Sequence, residues 1–283
     1  MGSGARRKRY WQASAPVVVA VLCLGLLAFA FMLPRPARSA APAPLTTTTA
    51  PAPLEVSKAP PPPAEPEPPE PPAPVASQVD CSQVPCVALT FDDGPSAFDA
   101  ALLDQLAALG VRATFFNTGQ NSASRPELVR RQAEAGHALG GHSWNHQDMK
   151  RRSPAEACQD ARRTADAIKD ASGVETILVR PPYGSWNDEI LAACEGMTFI
   201  LWDVDTQDWS SHDVAQITQH GIDDSRPGSI VLMHDTVAET IEALPGIVAG
   251  LKAKGYELVT VPELWNEPIA PGQAIYSGPR ASG

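Results

Sequence analysis

The chain has 283 residues, 22 Lys and Arg against 32 Asp and Glu, and a formal charge of −10. That balance argues against nucleic acid as a partner, because binding a phosphate backbone needs clustered cations, and the only dense basic cluster is the short run Arg6, Arg7, Lys8, Arg9. None of the five cysteines sits in a metal-type CxxC or beside the polar motifs described below, which argues against thiol catalysis.

Residues 1–14 form a short basic tail, expected to lie in the cytoplasm. Residues 15–33 are uncharged and almost entirely apolar. About 19 helical residues cross a hydrocarbon core of ~30 Å. A cleaved signal has an apolar core of about 7–15 residues. This run is longer, and Arg35 and Arg38 flank the Ala-rich stretch where a peptidase would cut. An uncleaved, single-pass membrane anchor is therefore expected, with secretion after cleavage as the alternative; both export the remainder. Residues 34–79 are rich in Pro and Ala, including the PEPPEPP run, and lack the apolar content to fold. They are expected to be a disordered, semi-rigid linker. In the exported compartment disulfides persist, and the four remaining cysteines are expected to pair as Cys81–Cys86 and Cys158–Cys194.

Residues 80–265 have the size of one domain with a substantial core. Seven apolar runs rich in β-formers lie at 87–91, 112–117, 137–142, 176–180, 198–204, 229–234 and 256–261. Helical patterns fall between most of them, at 100–109, 126–135, 154–171 with Ser153 as N-cap, and 238–254 with Pro245 as an interruption. Alternation of strand and helix implies a parallel sheet, and seven units imply an α/β fold closed or nearly closed as a distorted (β/α) barrel. A doubly wound open sheet is the runner-up. Residues 266–283, rich in Pro and Gly, read as a surface tail.

Polar motifs follow the strand runs. TFDDGP (90–95) follows the first, HSWNH (142–146) the third, RPPYG (180–184) the fourth and DTQDW (205–209) the fifth; IVLMH (230–234) ends the sixth. In a β/α barrel the C-terminal ends of all strands share one mouth, so these motifs converge there. Two adjacent carboxylates and two histidines four apart supply an oxygen and two imidazoles for a divalent metal, and leave a second carboxylate to handle protons. That set points to a hydrolase that activates water.

These five motifs, in this order, resemble those of the polysaccharide deacetylase (NodB-homology) family, carbohydrate esterase family 4, over roughly residues 87–265. The resemblance implies a distorted β/α barrel and a metal-dependent deacetylase. By that likeness Asp93, His142 and His146 hold the metal and Asp92 is the general base, oriented by Arg180. His234 is the general acid, supported by Asp208. Trp209 and Leu232 line the pocket for the acetyl methyl, and the backbone N–H of Tyr183 faces the oxyanion. Nitrogen and oxygen ligation favours zinc, with cobalt or manganese as alternatives. The expected partner is an acetylated polysaccharide, with peptidoglycan preferred because of the anchor, then chitin oligomers, then acetylxylan, and the expected state is a monomer. A carbohydrate-binding protein that has lost catalysis is the alternative from another class. Of the other histidines, His137 is expected to be structural, and His212 and His220 solvated. Trp144 and Trp186 are expected either to stack on sugar or to cover the barrel rim.

Overall fold

The computed structural model describes residues 79–265 and 267–279. The expected anchor at 15–33 and nearly all of the linker lie outside the described residues. Among the described residues no helix is long and apolar enough to cross a membrane.

The first strand, β1 (Cys86–Asp92), is buried at all seven positions. A continuous apolar run of this kind suits a strand covered on both faces, and β1 pairs in parallel with three neighbours. The chain continues through α1 (Asp99–Leu109), β2 (Thr114–Asn117), α2 (Gly119–Ser124), α3 (Pro126–Glu134), β3 (Ala138–Gly141), α4 (Pro154–Ser172), β4 (Leu178–Val179), α5 (Asp188–Ala193), β5 (Thr198–Ile200) and β6 (Val204–Asp205). It then forms α6 (Asp208–Ser211), α7 (Val214–Asp223), β7 (Ile230–His234), α8 (Ala238–Ala253), β8 (Glu257–Val259) and β9 (Ala274–Ile275).

Local signals explain several of these boundaries. Helix α4 starts with a full capping box, in which the Ser153 hydroxyl accepts from the Glu156 N–H and Glu156 reaches back to the Ser153 N–H. It ends at Gly173, whose φ of 77° suits the left-handed cap. Pro245 does not interrupt α8, contrary to expectation. That helix buries Ala243, Leu244, Ile247, Val248 and Leu251. Burial at ~1.5–3 kcal/mol for each larger apolar side chain outweighs the ~3 kcal/mol an internal proline costs.

All strand pairings are parallel, in the order β6-β7-β1-β2-β3-β4-β5-β9, with β8 paired to β1 off this path. The sheet is therefore a curled half-barrel with β6 and β9 at its edges, rather than a barrel closed by hydrogen bonds. The apolar run expected as one strand at 198–204 is divided. Its first half, β5, pairs with β4, and its second half, β6, pairs with β7. The chain itself thus passes through residues 201–203 from β5, the strand next to the edge strand β9, to the opposite edge strand β6. The stretch expected to be a tail supplies β9 beside β5, and Gly278 donates its N–H to Gly228 at 2.7 Å, just before β7. Its short apolar pair, Ala274 and Ile275, gave too little periodicity to be seen among Pro and Gly.

Cys81 and Cys86 form the expected disulfide. Cys158 and Cys194 do not: both are buried free thiols. They share one apolar cluster, but Cys158 Sγ accepts from Arg162 Nε at 3.5 Å, and Arg162 also donates to the Glu195 carbonyl at 3.1 Å. The pair is brought together without being bonded. His137 is structural: its Nδ1 accepts from the Ala113 N–H at 3.0 Å and its ring packs edge-on to Phe115. Burial, then the nearby Arg112 charge, lowers it to about 4, so it is neutral. His212 and His220 lie on the surface beside Glu239 and Asp224.

Candidate active site

Parallel register gathers the motifs at one mouth. Asp92 at the end of β1 is the Cα partner of His234 at the end of β7. On the other side of β1, Asp92 pairs with Phe116, while Asn117 pairs with Gly141, and Gly141 with Val179. The residues that follow these ends, Asp93, His142 and Arg180, therefore enter one space.

Asp93 Oδ1 lies 3.6 Å from His142 Nε2 and 3.4 Å from His146 Nε2. It is buried and has no hydrogen-bond partner among the described residues. An orphaned carboxylate oxygen facing two imidazole nitrogens is costly unless a cation satisfies it. Donors held at roughly 2.1 Å around a tetrahedral ion stand roughly 3.4 Å apart, which matches this spacing. His142 Nδ1 is 2.7 Å from the Arg180 carbonyl, so Nδ1 carries the proton and Nε2 presents its lone pair. Burial, opposed by the Asp93 charge, lowers His142 to about 3, which keeps the ring neutral. The donor set fits a divalent cation.

Backbone strain is concentrated at this mouth. Asp93 (φ 79°), Ser143 (58°), His146 (58°) and Tyr183 (61°) all occupy positive φ without being glycine. Gly94 answers a different constraint: a Cβ there would stand 1.9 Å from Asp235 Oδ2. Asn121 Nδ2 donates to the Asp93 carbonyl at 2.9 Å, and the Gly94 carbonyl accepts from the Thr118 N–H at 2.9 Å. The loop is thus held from below.

Asp92 is almost fully buried, and its Oδ1 accepts from Arg180 Nη1 at 2.8 Å. Its Oδ2 lies 3.7 Å from His142 Nε2, beside the cation position. Burial raises its pKa and Arg180 pulls it back; the net direction is up. Arg180 is itself wholly buried. It donates to Thr90 Oγ1 at 2.7 Å and to the carbonyls of Ile200 and Leu201 at 3.1 Å each, and its guanidinium lies over the Phe116 ring. Asp92 is therefore fixed by a cation that is fixed in turn.

His234 Nδ1 is 2.8 Å from Asp208 Oδ1, and its backbone N–H donates to Asp208 Oδ2 at 2.7 Å. Thr240 adds a hydroxyl donor to the same Oδ2 at 2.6 Å. Burial alone would lower His234; the Asp208 hydrogen bond and charge, helped by Asp92 and Asp93, overcome it and raise the group to about 9. Nδ1–H faces Asp208, which leaves Nε2 for a reacting atom. A charged imidazole with a free donor beside a buried carboxylate forms an acid–base pair across the mouth.

Leu232 is buried two residues before His234, on the same face of β7. Trp209 is 57% exposed and follows Asp208, and Tyr183 is 69% exposed, its ring edge-on to His146. Trp144 does not offer a free face: the Arg163 guanidinium lies 3.4 Å from its ring centroid, and a Cβ on Gly119 would strike it. Trp186 Nε1 donates to the Tyr276 hydroxyl at 3.3 Å, and its ring packs edge-on to Phe199.

Sequence reasoning reached Arg180 and Asp208 but missed the residues that hold the site behind them. Thr90 was detectable, since residues two apart on a strand share a face with Asp92. Thr240, Asn121 and buried Asp235 gave no signal, because each acts across a tertiary contact.

The polysaccharide deacetylase family model matches residues 80–200. The chain is 37% identical over 191 residues to the peptidoglycan-N-acetylglucosamine deacetylase PgdA of Listeria monocytogenes, a match that covers 67% of this chain and 41% of that protein. The chain thus spans about two fifths of that relative. It is 34% identical over 203 residues to a chitooligosaccharide deacetylase of Bradyrhizobium sp., covering 65% of this chain and 93% of the relative. The family 4 acetyl xylan esterase from Clostridium thermocellum, solved in complex with a cobalt ion, shares the fold with a TM-score of 0.64 at 33% identity, over 68% of this chain and 98% of that one. A relative matched over nearly its whole length, and a solved structure matched likewise, carry the motif resemblance to its conclusion: this chain belongs to the polysaccharide deacetylase family.

Proposed function

We propose that the protein hydrolyses N-acetyl groups of an extracellular polysaccharide, with peptidoglycan amino sugars as the preferred substrate. The observation that carries this reading is the orphaned Oδ1 of Asp93 facing His142 and His146, with Asp92 and His234 in register at the ends of the neighbouring strands β1 and β7. A divalent cation bound there, zinc by ligand chemistry, supplies Lewis acidity toward the acetyl carbonyl and toward water. Asp92, held by Arg180, takes the proton from the attacking water. His234, held by Asp208, gives a proton to the leaving nitrogen, which cannot depart as an anion. Tyr183, held at positive φ, supplies a backbone N–H to the charge that develops on the acetyl oxygen. Leu232 and Trp209 flank the methyl group. The relatives named for peptidoglycan and chitooligosaccharide deacetylation support this substrate class. The apolar segment at 15–33 supports a membrane-anchored location facing the wall.

Hydrolysis of O-acetyl groups on xylan is the second reading, favoured by the likeness to the acetyl xylan esterase. Acetate release by the full chain tests both. The protein is stripped with chelator, restored with zinc, cobalt or manganese, and offered peptidoglycan, chitin oligomers and acetylxylan. Metal-restored release from the amino-sugar polymers is expected. Release from acetylxylan alone would move the assignment to the esterase, and binding without any release would move it to a carbohydrate-binding protein.

A further inference from the structure

A cleft of 620 Å³ opens beside the cation position, lined by His146, Gln147, Asp148, Arg151, Arg152 and Tyr183. Its volume is that of a small-molecule site, which runs ~300–1,000 Å³. Two of its lining residues, His146 and Tyr183, are in edge-on contact. Two others are arginines, which belong to a Lys150, Arg151, Arg152 run in a chain of charge −10.

The two guanidiniums are differently placed. Arg152 is committed: Nη1 donates to Asp160 at 2.8 Å and Nε to Gln147 at 3.1 Å. Arg151 is 87% exposed in its side chain, and its nearest carboxylate, Asp148 Oδ2, is 3.8 Å from Nε. That carboxylate already accepts from the Lys150 N–H at 2.9 Å and bonds Ser185. Arg151 is nevertheless carried on firm backbone. It ends a 3₁₀ turn, Met149–Arg151, whose Met149 is buried in the apolar cluster and whose N-cap is Asp148. The same loop carries His146, so the backbone that bears Arg151 is anchored close in sequence to that histidine.

We propose that this cleft is a subsite for an anionic substituent on the sugar beside the one being deacetylated, and that Arg151 is its specificity-determining residue. The inference rests on the amino-sugar reading above and narrows it. Chitin oligomers are neutral. Peptidoglycan alternates its N-acetylglucosamine with a sugar that bears a lactyl ether; that group ends in a carboxylate when bare, and when it is amide-linked to the peptide the carboxylates are the peptide's. A guanidinium matches a carboxylate in planar, two-pronged geometry.

The test uses the full chain, loaded with zinc, as wild type, Arg151→Ala and Arg151→Lys. Substrates are chitotetraose, glycan strands stripped of peptide, and strands that keep their peptides. The quantity read is kcat/KM on each anionic substrate divided by that on chitotetraose. Arg151→Ala is expected to lower this ratio about fivefold, through KM rather than kcat, as suits one partly exposed charge pair. Arg151→Lys is expected to keep most of it. A change seen on stripped strands assigns the lactyl carboxylate; a change confined to peptide-bearing strands assigns the peptide. An unchanged ratio on both overturns the proposal, as does an equal fall with lysine, which would indicate packing. Dissociation constants for the three glycans, measured by calorimetry, give the same ratio without turnover. The subsite can therefore stand or fall even if no acetate is released and the amino-sugar reading fails.

Discussion

Asp92 and His234 are direct partners in the register of two neighbouring parallel strands, yet each answers to a different buried partner. Asp92 is tied to Arg180 and His234 to Asp208. The site therefore consists of two charge pairs of opposite polarity facing one another, and each can be broken separately.

Replacing Asp92 by Asn keeps the size and the contact with Arg180 but removes the proton acceptor. Acetate release should fall by about 10²–10⁴-fold. Affinity for cobalt, measured by calorimetry, should stay within a few-fold, because the orphaned oxygen belongs to Asp93. Full activity in this variant would refute Asp92 as the base.

Arg180→Met should destabilise the fold as well as inactivate it. The change leaves Asp92 buried without its cation and strands the Ile200 and Leu201 carbonyls. Breaking a buried pair in this way costs about 3–5 kcal/mol, readable as a lower urea midpoint. Lysine should not rescue it, because one ammonium cannot reach all four acceptors with the fork's geometry.

In the metal-free protein His234 should titrate near pH 9, against an ordinary value near 6.5. Because its folded value is raised, its stabilising contribution is full below pH 6.5 and is lost as pH rises through about 9. Asp208→Asn should bring the titration down and flatten that alkaline loss, on the order of 3 kcal/mol at most. Imidazole NMR and urea midpoints at pH 6 and pH 9.5 read the two effects. An unchanged His234 titration in the variant would remove Asp208 as its support.

Metal addition should raise the melting temperature of the wild type, since ligand at about 100 times Kd adds about 2.7 kcal/mol. Asp93→Asn should abolish that rise. Without metal the variant should be no less stable than wild type, since it loses a buried oxygen that has no hydrogen-bond partner among the described residues. A metal-free variant that melts well below wild type would mean that Asp93 has a purely structural role.

Much of this was legible in the chain. Strand ends could be placed because apolar runs such as 87–91 stop at polar motifs, and parallel order then sends those motifs to one mouth. What escaped depended on contacts that no local pattern encodes. The division of 198–204 follows from having different neighbours on its two halves, not from a change in its own residues. Thr240 reaches Asp208 from the first turn of a helix 32 residues away. Cys158 and Cys194 could be paired on paper because counting cysteines says nothing about whether two neighbouring thiols are joined.

The seam where β5 gives way to β6 makes room for Arg180, the arginine bonded to Asp92. In the parallel ladder Thr198 takes the Ile177 carbonyl, so the next carbonyl in line, that of Ile200, would look to residue 181 for an N–H. Residue 181 is proline and has none. Arg180 Nε fills the vacancy from within the barrel, and the bend just beyond lets the Leu201 carbonyl turn the same way. A more regular sheet would occupy those acceptors with its own backbone and leave no berth for a buried guanidinium. The first proline of RPPYG thus acts by omission: by withholding a donor from the sheet, Pro181 reserves a socket for the side chain that holds Asp92.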